Sequence, residues 1–470
     1  MTTNNTPRNS RKPTRREFLQ TGALGAGAVM TRSALAAPTT PKTKPPNFLL
    51  VLCDQLGLDA LGGHGCPDVH TPNLDRLIRR GTTFLESHST NPVCSPARSS
   101  LMTGRMPVET GVITNGRPIH PSCPTIGQWL GESGYETVYC GKWHLPGGVP
   151  QAGDGFTVLS SRKGQGDLDD AAVSRTCEAY LKNRPQDRPY LMVASFLQPH
   201  DICYWGNHAG DRMPAGLPFP QLRGRLPELP PNHKSRPPAP QKLDAIVCNV
   251  YSEQQWRYYL YIYARMVEML DADVGRVLDA VEASGQSENT VILFTSDHGD
   301  GRGRHSHVAK WYPYEESVKV PMVVACPGRI AANQRDATHL VSGVDAMSTM
   351  CDYAGIEPPP HVHGRSLRPL LEGNNAAWRE FVSSEHHVTG RMLRTEQYKY
   401  VRYEGDPVEQ LFDMKSDPWE MNNLYREARC AGVLADHRKL LAEFQARLRP
   451  VPPTPGPIET RPRAVKKRAS

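Results

Sequence analysis

Apolar positions in this chain fall into short unbroken runs, separated by longer stretches with helical spacing. Asn47-Phe48-Leu49-Leu50-Val51-Leu52-Cys53 shows no polar alternation and stops at Asp54, the pattern of a strand buried on both faces of a parallel sheet. Residues 135–139, 190–196 and 290–295 read the same way, the last running into Ser296-Asp297-His298. Between them, Thr71-Pro72-Asn73-Leu74 places a proline just inside a helix start behind a threonine cap. Residues 252–283 read as one long helix. Strands alternating with helices predict an α/β fold, a large doubly wound, mostly parallel sheet flanked by helices. Ligand groups in such sheets gather at the carboxyl ends of strands, where Asp54 and Asp297 both fall.

The texture changes near residue 375. Arg391-Met392-Leu393-Arg394, Tyr398 to Tyr403 and Leu411-Phe412-Asp413 resemble short antiparallel strands, and a last helix is expected near 433–447. The expected organisation is therefore an N-terminal segment 1–36, a linker 37–46, a catalytic domain 47–375, a smaller α+β subdomain 376–450 and a disordered basic tail 451–470. The proline-rich stretch 205–245 is expected to be an ordered surface excursion.

Composition changes this picture in two places. The net charge of +7 divides into +5 over residues 1–36, +4 over 452–470 and −2 over the rest, so a nucleic-acid-binding body is excluded on charge. No apolar run approaches a membrane-spanning length, so stable membrane insertion is not expected. The front of the chain carries Arg15-Arg16-Glu17-Phe18-Leu19, a mild Gly/Ala stretch and Ala34-Leu35-Ala36, which looks like a bacterial twin-arginine export signal. It implies a periplasmic or secreted protein handled by the twin-arginine machinery. The eleven cysteines are scattered without a Cys-x-x-Cys pair, which argues against a zinc ribbon or a disulfide scaffold.

The chemistry concentrates in Cys94-Ser95-Pro96-Ala97-Arg98-Ser99-Ser100-Leu101-Met102-Thr103-Gly104-Arg105. This stretch resembles the signature of the type I, formylglycine-dependent sulfatases of the alkaline phosphatase-like superfamily: Cys-x-Pro-x-Arg, then Thr-Gly-Arg. The likeness runs from Asn47 to about Leu424. It implies that a maturing enzyme oxidises Cys94 to formylglycine, whose hydrate is the nucleophile. By the same resemblance Asp54, Gln55, Asp297 and His298 hold a divalent metal together with the modified Cys94. Arg98 holds the hydrate and the metal-side oxygens.

Gly141-Lys142-Trp143-His144 matches the family's Lys-x-His element, Gln198-Pro199-His200 its Pro-His element, and Lys310 its second sulfate-binding lysine. Lys142 and Lys310 are thus implied to hold sulfate oxygens, His144 to take a proton from the hydrate, and His200 to protonate the departing alcohol. Oxygen donors favour calcium, with manganese as the alternative. Gln55 and His298 stand where the family more often has Asp and Asn, so the site carries less negative charge than usual. His305 and His307 read as surface residues in preference to substrate contacts.

The function expected from these features is sulfate ester hydrolysis on a sulfated carbohydrate, with Tyr204 and Trp205 as aromatic candidates at the mouth. Two alternatives stay open. A phosphonate monoester or phosphodiester hydrolase of the same superfamily can share Asp54-Gln55 and Asp297-His298 but generally lacks the Lys-x-His element. A catalytically silent binding protein would keep Cys94 as a thiol.

Overall fold

The computed structural model describes residues 1, 44–146, 148–161, 169–204, 220–244, 251–374, 376–386, 388–453 and 455. The expectations for the export segment, most of the linker, residues 205–219 and 245 of the loop 205–245, Trp205 among them, the side chain of Tyr204 and nearly all of the basic tail fall outside them.

The run that begins at Asn47 forms β1 (Asn47–Asp54), and every one of its residues is buried. Its side chains divide by parity. Leu49, Val51 and Cys53 enter one apolar core, while Phe48, Leu50 and Leu52 enter another on the opposite face. This is why the sequence shows no alternation here: a central strand covered on both faces has no solvent side.

The remaining strands are β2 (Thr82–Phe84), β3 (Ser87–His88), β4 (Glu136–Gly141), β5 (Thr157–Ser161), β6 (Tyr190–Pro199), β7 (Thr290–Ser296), β8 (Met322–Ala325), β9 (Gln334–Asp336), β10 (Val341–Ser342), β11 (Phe381–His386), β12 (Gly390–Thr395), β13 (Tyr398–Tyr403) and β14 (Gln410–Asp413). The main sheet has eight strands in the order β5-β4-β6-β1-β7-β8-β2-β9. Pairing is parallel from β5 through β7, and β8 runs antiparallel to both of its neighbours. The sheet is mixed and mostly parallel, as the pattern predicts. Four adjacent parallel strands, β4, β6, β1 and β7, therefore end on one edge, and Lys142, His200, Asp54 and Asp297 lie at those four ends.

One core face is closed by the long helix Glu253–Ala283 with the helices Pro72–Arg80 and Asp170–Asn183. The long helix starts with a capping box: Ser252 Oγ accepts from Gln255 N, and Gln255 Oε1 accepts from Ser252 N at 2.8 Å. The threonine cap expected at Thr71 does not form. Thr71 Oγ1 instead donates to Asp75 at 2.9 Å, and the first amides of that helix, Asn73 N and Leu74 N, are capped by Asp271 of the long helix. A buried carboxylate from a neighbouring element has replaced the local cap, a contact that sequence spacing does not reveal.

The strands β11–β14 form an antiparallel sheet in chain order. One face packs on the helix Ala431–Arg447 through Leu393, Tyr400, Leu411, Leu434 and Leu441. The other face carries Met392, Val401 and Phe412 onto Tyr312, Tyr314 and Val318, the residues just after Lys310. Lys399, fully buried, joins Glu315 at 3.2 Å and Glu420 at 2.8 Å across this seam. The C-terminal sheet thus braces the segment that delivers Lys310. No helix among the described residues is long and apolar enough to cross a membrane.

Candidate active site

Cys94 is the first residue of the helix Cys94–Thr103, after extended Val93. Pro96 suits the first turn, where an amide hydrogen would lack a helical partner, and Gly104, at φ 67°, ends the helix in the left-handed region. The following amide, Ser95 N, donates to Asn115 Oδ1 at 3.0 Å. The positive end of this helix therefore meets the sulfur.

Asp54 and Asp297 face that sulfur from the ends of β1 and β7. Arg98, one turn into the helix and fully buried, bridges them. Its Nη2 donates to Asp54 Oδ2 at 3.0 Å, and its Nε donates to Asp297 Oδ2 at 2.8 Å. A guanidinium fork suits this task because its donors diverge in a fixed plane. Lys142 Nζ lies 2.7 Å from Asp54 Oδ2. The carboxylates are thus more than helix caps, although Asp297 Oδ1 also accepts from Gln55 N and His298 N at the turn.

The turn that delivers Lys142 depends on Gly141. Its φ is 96°, and a Cβ there would meet Ser195 O at 2.0 Å. With no side chain in the way, Lys142 N donates to Ser195 O at 2.9 Å, and Lys142 O accepts from Arg98, Ser195 and Tyr139.

Around Cys94 Sγ the structure brings together Lys310 Nζ at 3.1 Å, His298 Nε2 at 3.1 Å and Asp54 Oδ1 at 3.7 Å. Ligand atoms of Asp54, Cys94, Asp297 and His298 all lie within 4.8 Å of one another. Burial and the Asp54 charge would raise the Cys94 thiol, but Lys142, Lys310 and His298 outweigh them and hold it well below its ordinary value. Burial would likewise raise Asp54, yet the charges of Lys142, Arg98 and Lys310 keep it ionised. Asp297, buried and facing the Asp54 charge, is pushed up to about 6. Two carboxylates, an amide at Gln55 and an imidazole form a donor set suited to a divalent cation, and the carboxylate already pressed toward its proton is the one a cation would relieve.

Every sequence-expected site residue reaches this edge, with three refinements. First, His200 Nε2 lies 3.8 Å from Asp54 Oδ1, and burial together with Lys142 and Lys310 lowers its pKa to about 3. In the free protein it is a neutral imidazole. Second, the backbone carbonyl of His144, a residue at φ 58°, accepts from Ser95 Oγ, tying the Lys142–His144 turn to the helix Cys94–Thr103. Third, His305 and His307 are not on the surface. They are 1% and 3% exposed: His305 stacks on Tyr314 at 4.3 Å and meets Asn232 and Ser235, and the tilted His307 ring lies 4.2 Å from that of Tyr312. Sequence reasoning also missed Ser195 and Asp300, which touch Arg98 and Gln55 directly, and Asn115, which holds the amide next to Cys94; only Asp300, in Asp297-His298-Gly299-Asp300, stood close enough in sequence to be suspected.

A mixed sheet with helices on both faces, a C-terminal antiparallel subdomain and a buried cysteine beside a carboxylate cluster at the strand ends define a hydrolase of the alkaline phosphatase-like kind. The profile of the sulfatase family matches residues 46–356, and that of the N-sulphoglucosamine sulphohydrolase C-terminal region matches 303–447. The chain belongs to the sulfatase family and is a sulfuric ester hydrolase. Among its relatives, a Δ4,5-hexuronate-2-O-sulfatase of Bacteroides thetaiotaomicron is 32% identical over 452 residues, spanning 88% of this chain and 92% of that protein. The solved structure of a 2-O GAG sulfatase superposes with a TM-score of 0.76 at 30% identity, covering 86% of this chain and 92% of the other. A phosphonate monoester hydrolase of Agrobacterium radiobacter shares the fold, with a TM-score of 0.72 at 22% identity over 86% of this chain and 96% of its own.

Proposed function

We propose that this enzyme removes a sulfate ester from a uronate-containing carbohydrate, with Cys94 converted to formylglycine and a calcium ion at Asp54, Gln55, Asp297 and His298. The observation that carries the reading is the convergence on Cys94 Sγ of a helix N-terminus, Lys310 and His298 beside two carboxylates. The carbohydrate class is supported by the 32%-identical relative, whose name specifies a hexuronate 2-O-sulfate. When present, the ion polarises a sulfate oxygen, and the aldehyde hydrate supplies one hydroxyl to attack sulfur and a second whose deprotonation expels sulfate.

The chain's own residues do the rest. Lys142 and Lys310 hold sulfate oxygens and neutralise charge as it develops. His144 accepts the proton that leaves the hydrate. His200 must give a proton to the departing oxygen, although it is neutral in the free protein. The two lysines that depress its pKa are the ones a bound sulfate neutralises, so binding raises its proton affinity.

A pH dependence follows with a definite sign. A group whose pKa rises on binding strengthens binding below its free value, near 3, and that gain fades as pH climbs through the bound value. The affinity for inorganic sulfate is expected to fall with rising pH above about 4, with proton uptake seen by calorimetry in buffers of different ionisation enthalpy. In His200→Gln the uptake is expected to be smaller than in the wild type.

The functional reading is tested by sulfate release from a panel of matured-enzyme substrates. A 2-O-sulfated unsaturated hexuronate disaccharide is expected to show the highest kcat/KM, and chelation to abolish turnover until calcium is returned. Preference for a phosphonate monoester would overturn the reading. The paired arginines before Gly22 further support export of the folded enzyme to the periplasm, and the sequence texture supports a catalytic region 47–375 with a subdomain 376–450.

A further inference from the structure

We propose that Asp300 is a positioning residue that, together with Lys310, fixes which end of the Gln55 amide faces the metal site. The inference rests on the reading of Gln55 as a metal ligand. Asp300 is fully buried. Its Oδ2 accepts from Gln55 Nε2 at 2.6 Å, both its oxygens accept from the Tyr259 hydroxyl at 3.0 Å, and Oδ1 accepts from Arg302 N at 2.8 Å. An ionised carboxylate only accepts, so the amide must turn its NH₂ end toward Asp300.

The carbonyl end then faces the other way. Gln55 Oε1 accepts from Lys310 Nζ at 2.8 Å and from the Cys203 thiol at 3.2 Å. Cys203 does not select the orientation, because its sulfur also lies 3.1 Å from Gln55 Nε2. An amide has nearly the same shape either way round, so packing alone cannot choose. The wrong choice would set an NH₂ group against the Lys310 ammonium and against a cation that takes only oxygen. Backbone contacts keep Gln55 in place without fixing its amide: Gln55 N donates to Asp297 Oδ1 at 3.2 Å, and its carbonyl accepts from Tyr263 at 2.7 Å. Asp300 thereby does for Gln55 what outer-sphere carboxylates do for metal-ligating histidines.

The pairing has a polarity that isosteric variants can reverse. In Asp300→Asn, the carbonyl of the introduced amide keeps Tyr259 and Arg302 N, and its NH₂ confronts that of Gln55. The Gln55 amide can then no longer satisfy both ends: its NH₂ opposes either the introduced NH₂ or, if it turns, the Lys310 ammonium and the metal. In the swap Gln55→Glu with Asp300→Asn, the new donor meets a new acceptor, and an oxygen again faces Lys310. The test uses the full-length protein, metal-free and then titrated with Ca²⁺ and with Mn²⁺, for wild type, both single variants and the swap.

Asp300→Asn is expected to bind the metal 10- to 100-fold more weakly than wild type, and the swap to return to within a few-fold. Melting temperatures of the metal-free proteins are expected to follow the same order, with the swap recovering most of the loss. Affinity and melting of Asp300→Asn both unchanged would overturn the proposal, as would a swap no better than Asp300→Asn alone. If Asp300→Asn does not fold, recovery of folding in the swap supports the pairing and failure of both overturns it. A wild type that binds neither ion would remove the metal reading, while the metal-free melting temperatures still decide the Asp300–Gln55 pairing.

Discussion

Replacing Cys94 with serine is expected to lower steady-state sulfate release by about 10⁴-fold or more, the scale on which removal of a nucleophile acts. The substitution is nearly isosteric, and Cys94 sits at the start of a helix whose packing it does not anchor, so the fold should persist. The serine hydroxyl still lies between Lys310, His298 and the helix N-terminus, and it can attack sulfur once. It then stops. A geminal diol sheds sulfate by collapsing to an aldehyde, whereas a serine sulfate has no second hydroxyl to drive that cleavage. Intact-protein mass spectrometry after incubation with substrate should therefore show a fraction of the variant carrying one covalent sulfate. Multiple turnovers by Cys94→Ser at more than a hundredth of the wild-type rate would contradict the assigned nucleophile.

The second large effect is expected at Lys310. Lys310→Ala should lower kcat/KM by about 10²- to 10³-fold, the usual cost of removing one buried donor aimed at developing charge. Lys310 is buried, and its Nζ lies 3.1 Å from Cys94 Sγ and 2.8 Å from Gln55 Oε1. Burial would lower its pKa, but Cys94, Cys203 and Asp54 outweigh that and hold it protonated. The charge is thus fixed in place before substrate arrives and needs no reorganisation. Lys310→Ala also removes one of the two lysines that depress His200, so sulfate binding in the variant should take up fewer protons than in wild type. Steady-state kinetics on a single sulfated disaccharide would measure the loss. A change below tenfold would place Lys310 outside the catalytic machinery.

Much of this site could be read from residues alone because its chemistry sits where regular elements end. The unbroken apolar run of β1 announces a strand covered on both faces, and Asp54 at its end marks the carboxyl edge. The same reasoning finds Asp297 after β7, and the long helix 253–283 follows from its period. Cys94, Lys142, His200 and Lys310 were carried by family motifs instead of by any periodicity. What stayed hidden depends on contacts between distant segments. Asp271 displaces Thr71 as the helix cap across nearly two hundred positions, and Ser195 fixes the Lys142 turn by meeting Gly141 from a neighbouring strand. His305 and His307 look solvated in sequence because part of what covers His305, Asn232 and Ser235, lies about seventy residues earlier, and the flanking Tyr312 and Tyr314 are themselves packed under Met392, Val401 and Phe412. Asp300 could be seen but its partner could not, since its bond to Gln55 spans 245 positions.

The central claim is that Cys94 is the precursor of the nucleophile, and the mass of the peptide containing it tests this most directly. The protein would be expressed with and without a formylglycine-generating enzyme, digested and weighed. An aldehyde in place of the thiol, appearing with the maturing enzyme and in proportion to sulfate release, is the predicted result. A thiol under both conditions, in protein that still hydrolyses sulfate esters, would contradict the account.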